Sequence, residues 1–329
     1  MTNLYSELDT VFEQSAAQDC LRLGNGDVLR YGDVRQMVAR MGDFLVNQGV
    51  KPGDRVVAQV EKSAENLCLY LATLRCGAVY VPLNTGYTAA ELDYFVGDAE
   101  PAVFVGAEPR TDVNSFTLNG DGAGSLMDGL PESADMSDGI VERGDDDLAA
   151  ILYTSGTTGE AKGVMLTEDN LVFNAEMALK RYQFDRSTHQ FNFLPFFHAF
   201  GRTCDFYVWL LGGHQLTLAS DRQAASHEVA QANPTHINGV PYFFEKLLIL
   251  SQQKEVPTQA LGERLIQINS GGATLTKSIF DDFTELDVAV LEGYGLTETS
   301  PVATLAGRDA IKYGSVGLVS LGSAFIPCL

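Results

Sequence analysis

The chain has 329 residues, 45% of them hydrophobic, and a formal charge of −21 from 43 acidic and 22 basic side chains. That length suits one multi-lobed unit or two lobes, and the acidic balance excludes non-specific binding to nucleic acid or anionic membrane, which needs a basic surface. No apolar run is long enough to span a bilayer, and residues 1–18 are acidic and amphipathic, unlike a signal peptide. Cys20, Cys68, Cys76, Cys204 and Cys328 are scattered, with no Cys-x-x-Cys pair, so reduced thiols in a cytoplasmic protein are expected.

Val34, Met37, Val38, Met41, Phe44 and Leu45 follow helical spacing, closed by Gly49. Residues 55–60 read as a strand, Ser63 caps a helix running to Arg75, and residues 78–81 return to strand. Thr88 and Glu91 form a capping box ahead of Leu92, Phe95 and Val96, and residues 101–105 are again strand-like. From Asn119 to Asp147 the chain turns Gly- and Asp-rich, with Arg143 its only basic residue, and reads as a partly mobile surface excursion. A second series follows: helices over 169–182, 222–231, 242–251 and 276–283, with strands over 214–218, 236–239, 265–268 and 288–291. Strands alternating with helices predict an α/β fold with mainly parallel, doubly wound sheets.

The apolar run 148–152 leads into Tyr153-Thr154-Ser155-Gly156-Thr157-Thr158-Gly159-Glu160-Ala161-Lys162-Gly163. Glycines let backbone N–H groups approach a polyphosphate closely, hydroxyls add donors, and Lys162 adds a point charge. A Walker loop is excluded: Lys162 precedes Gly163, no Ser or Thr follows to hold magnesium, and Val164-Met165-Leu166 reads as a second strand instead of a helix. Without a ligand, the same composition would be an ordinary polar hairpin.

Residues 153–163 resemble the phosphate-binding loop of the adenylate-forming superfamily, which includes acyl-CoA synthetases, luciferases and adenylation domains. Leu194-Pro195-Phe196-Phe197-His198-Ala199-Phe200-Gly201 looks like its Pro-x-x-His segment, and Asn238-Gly239-Val240-Pro241 and Ser270-Gly271-Gly272-Ala273 look like its next two landmarks. Glu292-Gly293-Tyr294-Gly295-Leu296-Thr297-Glu298-Thr299 is similar to its Tyr-Gly-x-Thr-Glu block, and Gly314-Ser315-Val316-Gly317 fits the turn that follows. The resemblance implies two stacked doubly wound sheets with the site between them: a first lobe over 1–165, a second over 166–310, and over 311–329 the start of an incomplete β-barrel subdomain. The ribose-binding aspartate, the hinge and the lysine-bearing C-terminal domain of that family have no counterpart in the sequence.

By the same resemblance the chain is the large domain of an AMP-forming acid–thiol ligase that uses ATP, magnesium and CoA, a carrier-protein thiol being the other acceptor. Thr154, Ser155, Gly156, Thr157, Thr158, Gly159 and Lys162 would grip the β- and γ-phosphates, and Thr157 with Glu298 would hold Mg2+. Gly271, Gly272, Ala273, Glu292, Gly293, Tyr294, Gly295 and Thr297 would receive the nucleotide. His198, Gly239, Gly271 and Gly295 would border the acyl group, His198 orienting its carboxylate. By residue type alone, Glu298 would be a surface carboxylate and His198 a packed core residue.

Glu61-Lys62-Ser63 and the stretch 69–101 look like malonyl-CoA synthetases, yet those enzymes place an arginine where this chain has Gly293. Arg202 and Lys246 are candidate substitutes, although surface charge is the plainer role for each. An apolar monocarboxylate is therefore the first choice of substrate and malonate the second. Lacking the C-terminal domain, the chain has an alternative reading as a module that binds nucleotide or acyl-adenylate without turnover.

Overall fold

A computed structural model describes residues 4–154, 161–221, 223–254 and 258–319. The chain divides into two compact units, one of residues 1–18 and 29–172, the other of residues 19–28 and 173–329. The short segment Asp19–Val28 thus joins the second unit, and the division falls inside the helix Glu168–Tyr182.

The first unit is built on a six-stranded sheet in the order Ser115–Thr117, Val103–Gly106, Arg55–Gln59, Val79–Pro82, Leu148–Thr154, Lys162–Thr167. Its pairs are parallel except the last, where Leu148–Thr154 and Lys162–Thr167 form an antiparallel hairpin. Val79–Pro82 and Val103–Gly106 are buried at every position, as strands covered on both faces must be. Ser63 Oγ accepts from Asn66 N at 3.1 Å to start the helix Ala64–Arg75, and the predicted capping box of Thr88 and Glu91 starts Ala89–Ala99. Phe95, Val96 and Ala99 of that second helix pack on Val57, Val81 and Phe104 of the sheet.

The acidic excursion is tied down by Arg75, whose side chain is 1% exposed. Its guanidinium donates to the carbonyl oxygens of Asp135 and Asp138 and faces Asp43 at 3.4 Å, while its own carbonyl accepts from Val141 N. A charge is tolerated there because backbone carbonyls and a carboxylate surround it.

The second unit carries a nine-stranded sheet in the order Leu318–Val319, Val302–Leu305, Ala289–Gly295, Gln267–Ser270, His236–Gly239, His189–Asn192, Gln215–Leu218, Asp19–Arg22, Val28–Arg30. From Asp19–Arg22 through Ala289–Gly295 the neighbouring strands are parallel, and Val302–Leu305 and Leu318–Val319 continue the sheet in antiparallel pairs. His189–Asn192 is central although its polar sequence gave no strand signal. Its side chains are satisfied one by one: His189 Nε2 meets Thr217 Oγ1 at 2.7 Å, and Asn192 Nδ2 donates to Asp205 Oδ2 at 2.5 Å.

A π-helix over Gly201–Tyr207 leads into Val208–Gly212, and neither was predicted. Such wide turns are uncommon and need outside partners for their carbonyls. Here Asn238 Nδ2 donates to Cys204 O and Asp205 Oδ1, both at 2.6 Å, and Gln190 Nε2 also reaches Cys204 O. The ladder continues sideways from Asn269 Nδ2 to Asn238 Oδ1 and from Gln267 Nε2 to Asn269 Oδ1. Replacing Asn238 by alanine would leave a buried carbonyl and a carboxyl oxygen short of donors, costing about 3 kcal/mol of unfolding free energy. The urea midpoint of the variant measures that loss.

His189, His214 and His236 sit where strands of the second sheet begin and are all but buried. Burial, then neighbouring positive charge, pushes His189 and His236 down to about 4, and burial pushes His214 down to about 3. Below about pH 6.5 the unfolded chain takes up protons that the folded unit refuses, so stability falls as pH falls toward 4, each histidine adding about 1.4 kcal/mol per pH unit to the slope. Glu168 of the first unit works in the other direction. Burial raises its carboxyl to about 7, so its contribution is complete below pH 4.5 and is lost as pH rises through 7. The only tryptophan, Trp209, donates to the carbonyl of His214 at 2.8 Å and so reports on the second unit. Thermal melts followed by its fluorescence should show a midpoint lower at pH 5 than at pH 7; equal midpoints would refute the assignment of neutral histidines.

Candidate active site

In open α/β sheets, ligands bind beyond the carboxyl ends of the strands. Parallel strands of the second unit end at Asn192, Gly239, Ser270 and Gly295, and each motif spans or directly follows such an end. One rim of one sheet therefore collects segments that lie far apart in sequence.

After Asn192 the chain stacks Phe193 on Phe243, ring centroids 3.7 Å apart, and turns at Pro195. Gly201 closes the turn, since a Cβ there would come within 2.8 Å of Pro195 O and 2.9 Å of Leu194 Cβ. His198 lies on the outside of this turn, exposed and 4.5 Å from the Phe197 ring, so it is not a packed core residue. Arg202 is 2% exposed, and its Nη2 donates to Phe196 O at 2.6 Å, bracing the turn from beneath. The expectation of surface charge is thus corrected for Arg202. Lys246 donates to Gln223 O at 3.2 Å on an exposed face.

Gly239 is held between rings, since its Cβ would stand 3.0 Å from both Phe193 and Phe244. Its carbonyl accepts from Gly271 N at 3.1 Å, which links the second landmark to the third. Gly271 faces Phe200, Gly272 takes φ +77, and Gly272 and Ala273 are exposed. In the last block, Glu292 is 8% exposed and its Oε1 accepts from Gly314 N at 3.0 Å. The carboxyl that was expected to meet nucleotide thus secures the following Gly314-Ser315-Val316-Gly317 turn, and burial raises it above the ordinary range. A bulge between Tyr294 and Gly295 redirects the strand, and a Cβ on Gly295 would overlap Pro301 O at 1.7 Å, so only glycine fits. Thr297 and Glu298 follow in a short 3₁₀ turn, with Glu298 and the Tyr294 ring exposed.

A cavity of about 80 Å³ opens at this rim. Gly271, Gly272, Gly293, Tyr294 and Gly295 line it together, whereas Gly239, His198 and Glu298 do not. Its remaining wall includes Tyr182, Phe200, Cys204, Val302 and Leu305, of which only Phe200 lay in a motif. Burial pushes the Cys204 thiol up to about 12 and the Tyr182 phenol well above its usual value, so both stay neutral. Among the described residues, no charged side chain lines the cavity.

In the first unit, Thr154 pairs with Lys162 at the end of the hairpin, and Lys162 is exposed with no ion pair among the described residues. Ser155, Gly156, Thr157, Thr158 and Gly159 lie outside the described residues. Among the described residues, no group of three His, Cys, Asp or Glu side chains is placed to hold a metal, and no helix is long and apolar enough to cross a membrane.

The model of the AMP-binding enzyme family matches residues 10–325. A feruloyl-CoA synthase of Amycolatopsis sp is 30% identical over 304 residues, covering 90% of this chain and 60% of that protein. The long-chain-fatty-acid–CoA ligase FadD13 of Mycobacterium tuberculosis is 26% identical over 307 residues, covering 89% of this chain and 60% of that protein. The crystal structure of apo MatB from Rhodopseudomonas palustris superposes with a TM-score of 0.88 at 34% identity, covering 97% of this chain and 65% of that one; its ATP-bound form gives 0.85. The chain thus spans about three fifths of the length of these relatives. With a family match over nearly its whole length and a common fold, the chain belongs to the AMP-binding enzyme family.

Proposed function

We propose that this chain is the large domain of an ATP-dependent acyl-CoA synthetase acting on an apolar monocarboxylate. The observation that carries this reading is the convergence of the strand-end motifs on one small, uncharged cavity. The acid's carboxylate attacks the α-phosphorus of ATP, one P–O bond forms, the bond to the β-phosphate oxygen breaks, and pyrophosphate leaves. A thiolate, from CoA or a carrier protein, then attacks the acyl carbon and AMP departs with the C–O bonding pair. Both first reactants are anions, so charge neutralisation and alignment make up most of the task.

Lys162 and the donors from Thr154 to Gly159 serve the β- and γ-phosphates. Gly271, Gly272, Ala273 and Tyr294 offer backbone and an aromatic face to the purine, beside Gly293, Gly295 and Thr297. His198 orients the carboxylate, and Gly271 and Gly295 border the acyl group. Magnesium takes hard oxygen ligands, few of them from protein. Glu298 fits that need as an exposed carboxylate with no ion pair among the described residues, and Thr157 is its proposed companion. When bound, the ion would neutralise phosphate charge. A cytoplasmic setting goes with these substrates.

Lys162→Ala and Glu298→Ala should each lower acid-dependent ATP–pyrophosphate exchange by about 100-fold or more, the usual loss for one preorganised charge-stabilising contact. Exchange at the unsubstituted rate would overturn both roles.

The cavity also orders the substrates. Among the described residues its lining has no cation for a second carboxylate. Apolar monocarboxylates should therefore exceed malonate in kcat/KM by about tenfold or more. Gly293→Arg adds the missing cation; its Cβ would stand 3.0 Å from Leu305 Cδ1, a side-chain end that can move. The variant should shift the ratio toward malonate, and wild-type preference for malonate would sink the monocarboxylate assignment.

A further inference from the structure

We propose that Tyr94 and Asp98 are positioning residues for the phosphate loop, acting from the helix Ala89–Ala99 as a splint across both stems of the hairpin. The inference rests on the reading of that loop as the triphosphate grip, and neither residue was assigned a role in the site from the sequence.

Tyr153 Oη donates to Asp98 Oδ2 at 2.5 Å, and Tyr94 Oη donates to Ala161 O at 2.9 Å. One bond therefore lands just before residues 155–160 and the other just after them, on the residue preceding Lys162. Both come from a single helical turn, because residues four apart lie on one helix face. The rings reinforce the arrangement: Phe95 lies between the two tyrosines, 5.4 Å from Tyr94 and 4.6 Å from Tyr153. Gly163, paired with Tyr153 across the hairpin, leaves room for this packing. A Cβ there would come within 2.8 Å of Ile151 Cγ2 and 3.4 Å of Tyr153 Cε1. The helix is itself fixed, by its capping box at one end and by Phe95, Val96 and Ala99 in the core. Burial and the Asp98 contact keep the Tyr153 proton in place, raising the phenol above its usual value.

Neither hydrogen bond is deeply buried; Tyr94 is 42% exposed and Asp98 is exposed. Exposed bonds of this kind add little to global stability, yet they determine where Lys162 and the flanking donors point. A shift of about 1 Å in such donors is enough to cost a site up to 100-fold. A carboxylate so close to a polyanion site would also be unhelpful unless engaged, and the Tyr153 hydroxyl engages it.

The test is calorimetric titration of the chain with magnesium-ATP, beside its thermal midpoint. Tyr94→Phe and Tyr153→Phe keep the rings and delete only the hydroxyls. Each should weaken ATP about tenfold while the midpoint moves by less than about 2 °C. Asp98→Ala should match Tyr153→Phe, and Asp98→Asn, which retains an acceptor, should restore binding to within about threefold of wild type. Affinities within twofold of wild type in both phenylalanine variants would overturn the proposal, as would a large midpoint loss with unchanged affinity, which marks a purely structural role. Wild-type chain that binds no ATP would instead overturn the parent reading of the loop. In that event, amide hydrogen exchange at Thr154 and over Lys162–Thr167 decides the splint alone: faster exchange in a variant carrying both Tyr94→Phe and Tyr153→Phe supports it, and equal exchange ends it.

Discussion

The second unit depends on a buried carboxyl group that is never left alone. Asp205 lies on a π-helix at zero exposure and accepts from Asn192 and Asn238, while Asn238 also supplies the carbonyl of Cys204. Without those amides the wide turn would bury unmet acceptors, and a regular α-helix would be the cheaper conformation. The amides come from adjacent parallel strands, so the sheet register decides whether the π-helix can form. That helix in turn presents Cys204, with Phe200 just before it, as part of the cavity wall. Polar residues in the middle of a sheet, which look misplaced by hydropathy, thus shape an apolar pocket.

Glycine supplies the second constraint. Where strand-end segments meet, backbone stands against backbone: Gly201 against Pro195 O, and Gly295 against Pro301 O. Side chains at these points would push the segments apart and open the cavity. Gly239 does the same against two aromatic rings. These glycines act by absence of volume, and neither Gly201, Gly239 nor Gly295 needs a positive φ. Gly272, at φ +77, is the one in this group where backbone freedom matters.

Much of the fold was legible because it follows local rules. Ser63, Thr88 and Glu91 announced helix starts that the structure reproduces, and His236–Gly239 is a strand over the predicted residues. His189–Asn192 and the π-helix were not legible, because their stability comes from partners such as Thr217 and Asn238, far away in sequence. The same division holds at the site. Motif residues Gly271, Gly293, Tyr294 and Gly295 converge on one cavity, whereas Tyr182 and Leu305 carry no motif and reach it only through tertiary packing. Arg202 misled for a related reason: an arginine reads as surface charge until the carbonyl of Phe196 is seen above it. Glu292 is the mirror case, a motif carboxylate whose partner is a backbone N–H of the next turn.

A net charge of −21 looks ill-suited to a site for polyphosphate. The objection weakens once distance is considered. At physiological ionic strength, fields from exposed carboxylates decay over about 8 Å, so acidic surface remote from a site adds little there. What matters within that radius is the local inventory. Among the described residues at the hairpin it includes Lys162, the Thr154 hydroxyl and the carboxylate of Asp98, which is bonded to Tyr153. Dipolar donors at hydrogen-bond distance act over a few ångströms, where the averaged field of a distant acidic surface is weak. An acidic protein can therefore hold an anion with short-range, well-placed donors, provided the nearest carboxylate is already engaged. On the proposed reading, that makes the exact aim of the hairpin more important than the overall charge of the molecule.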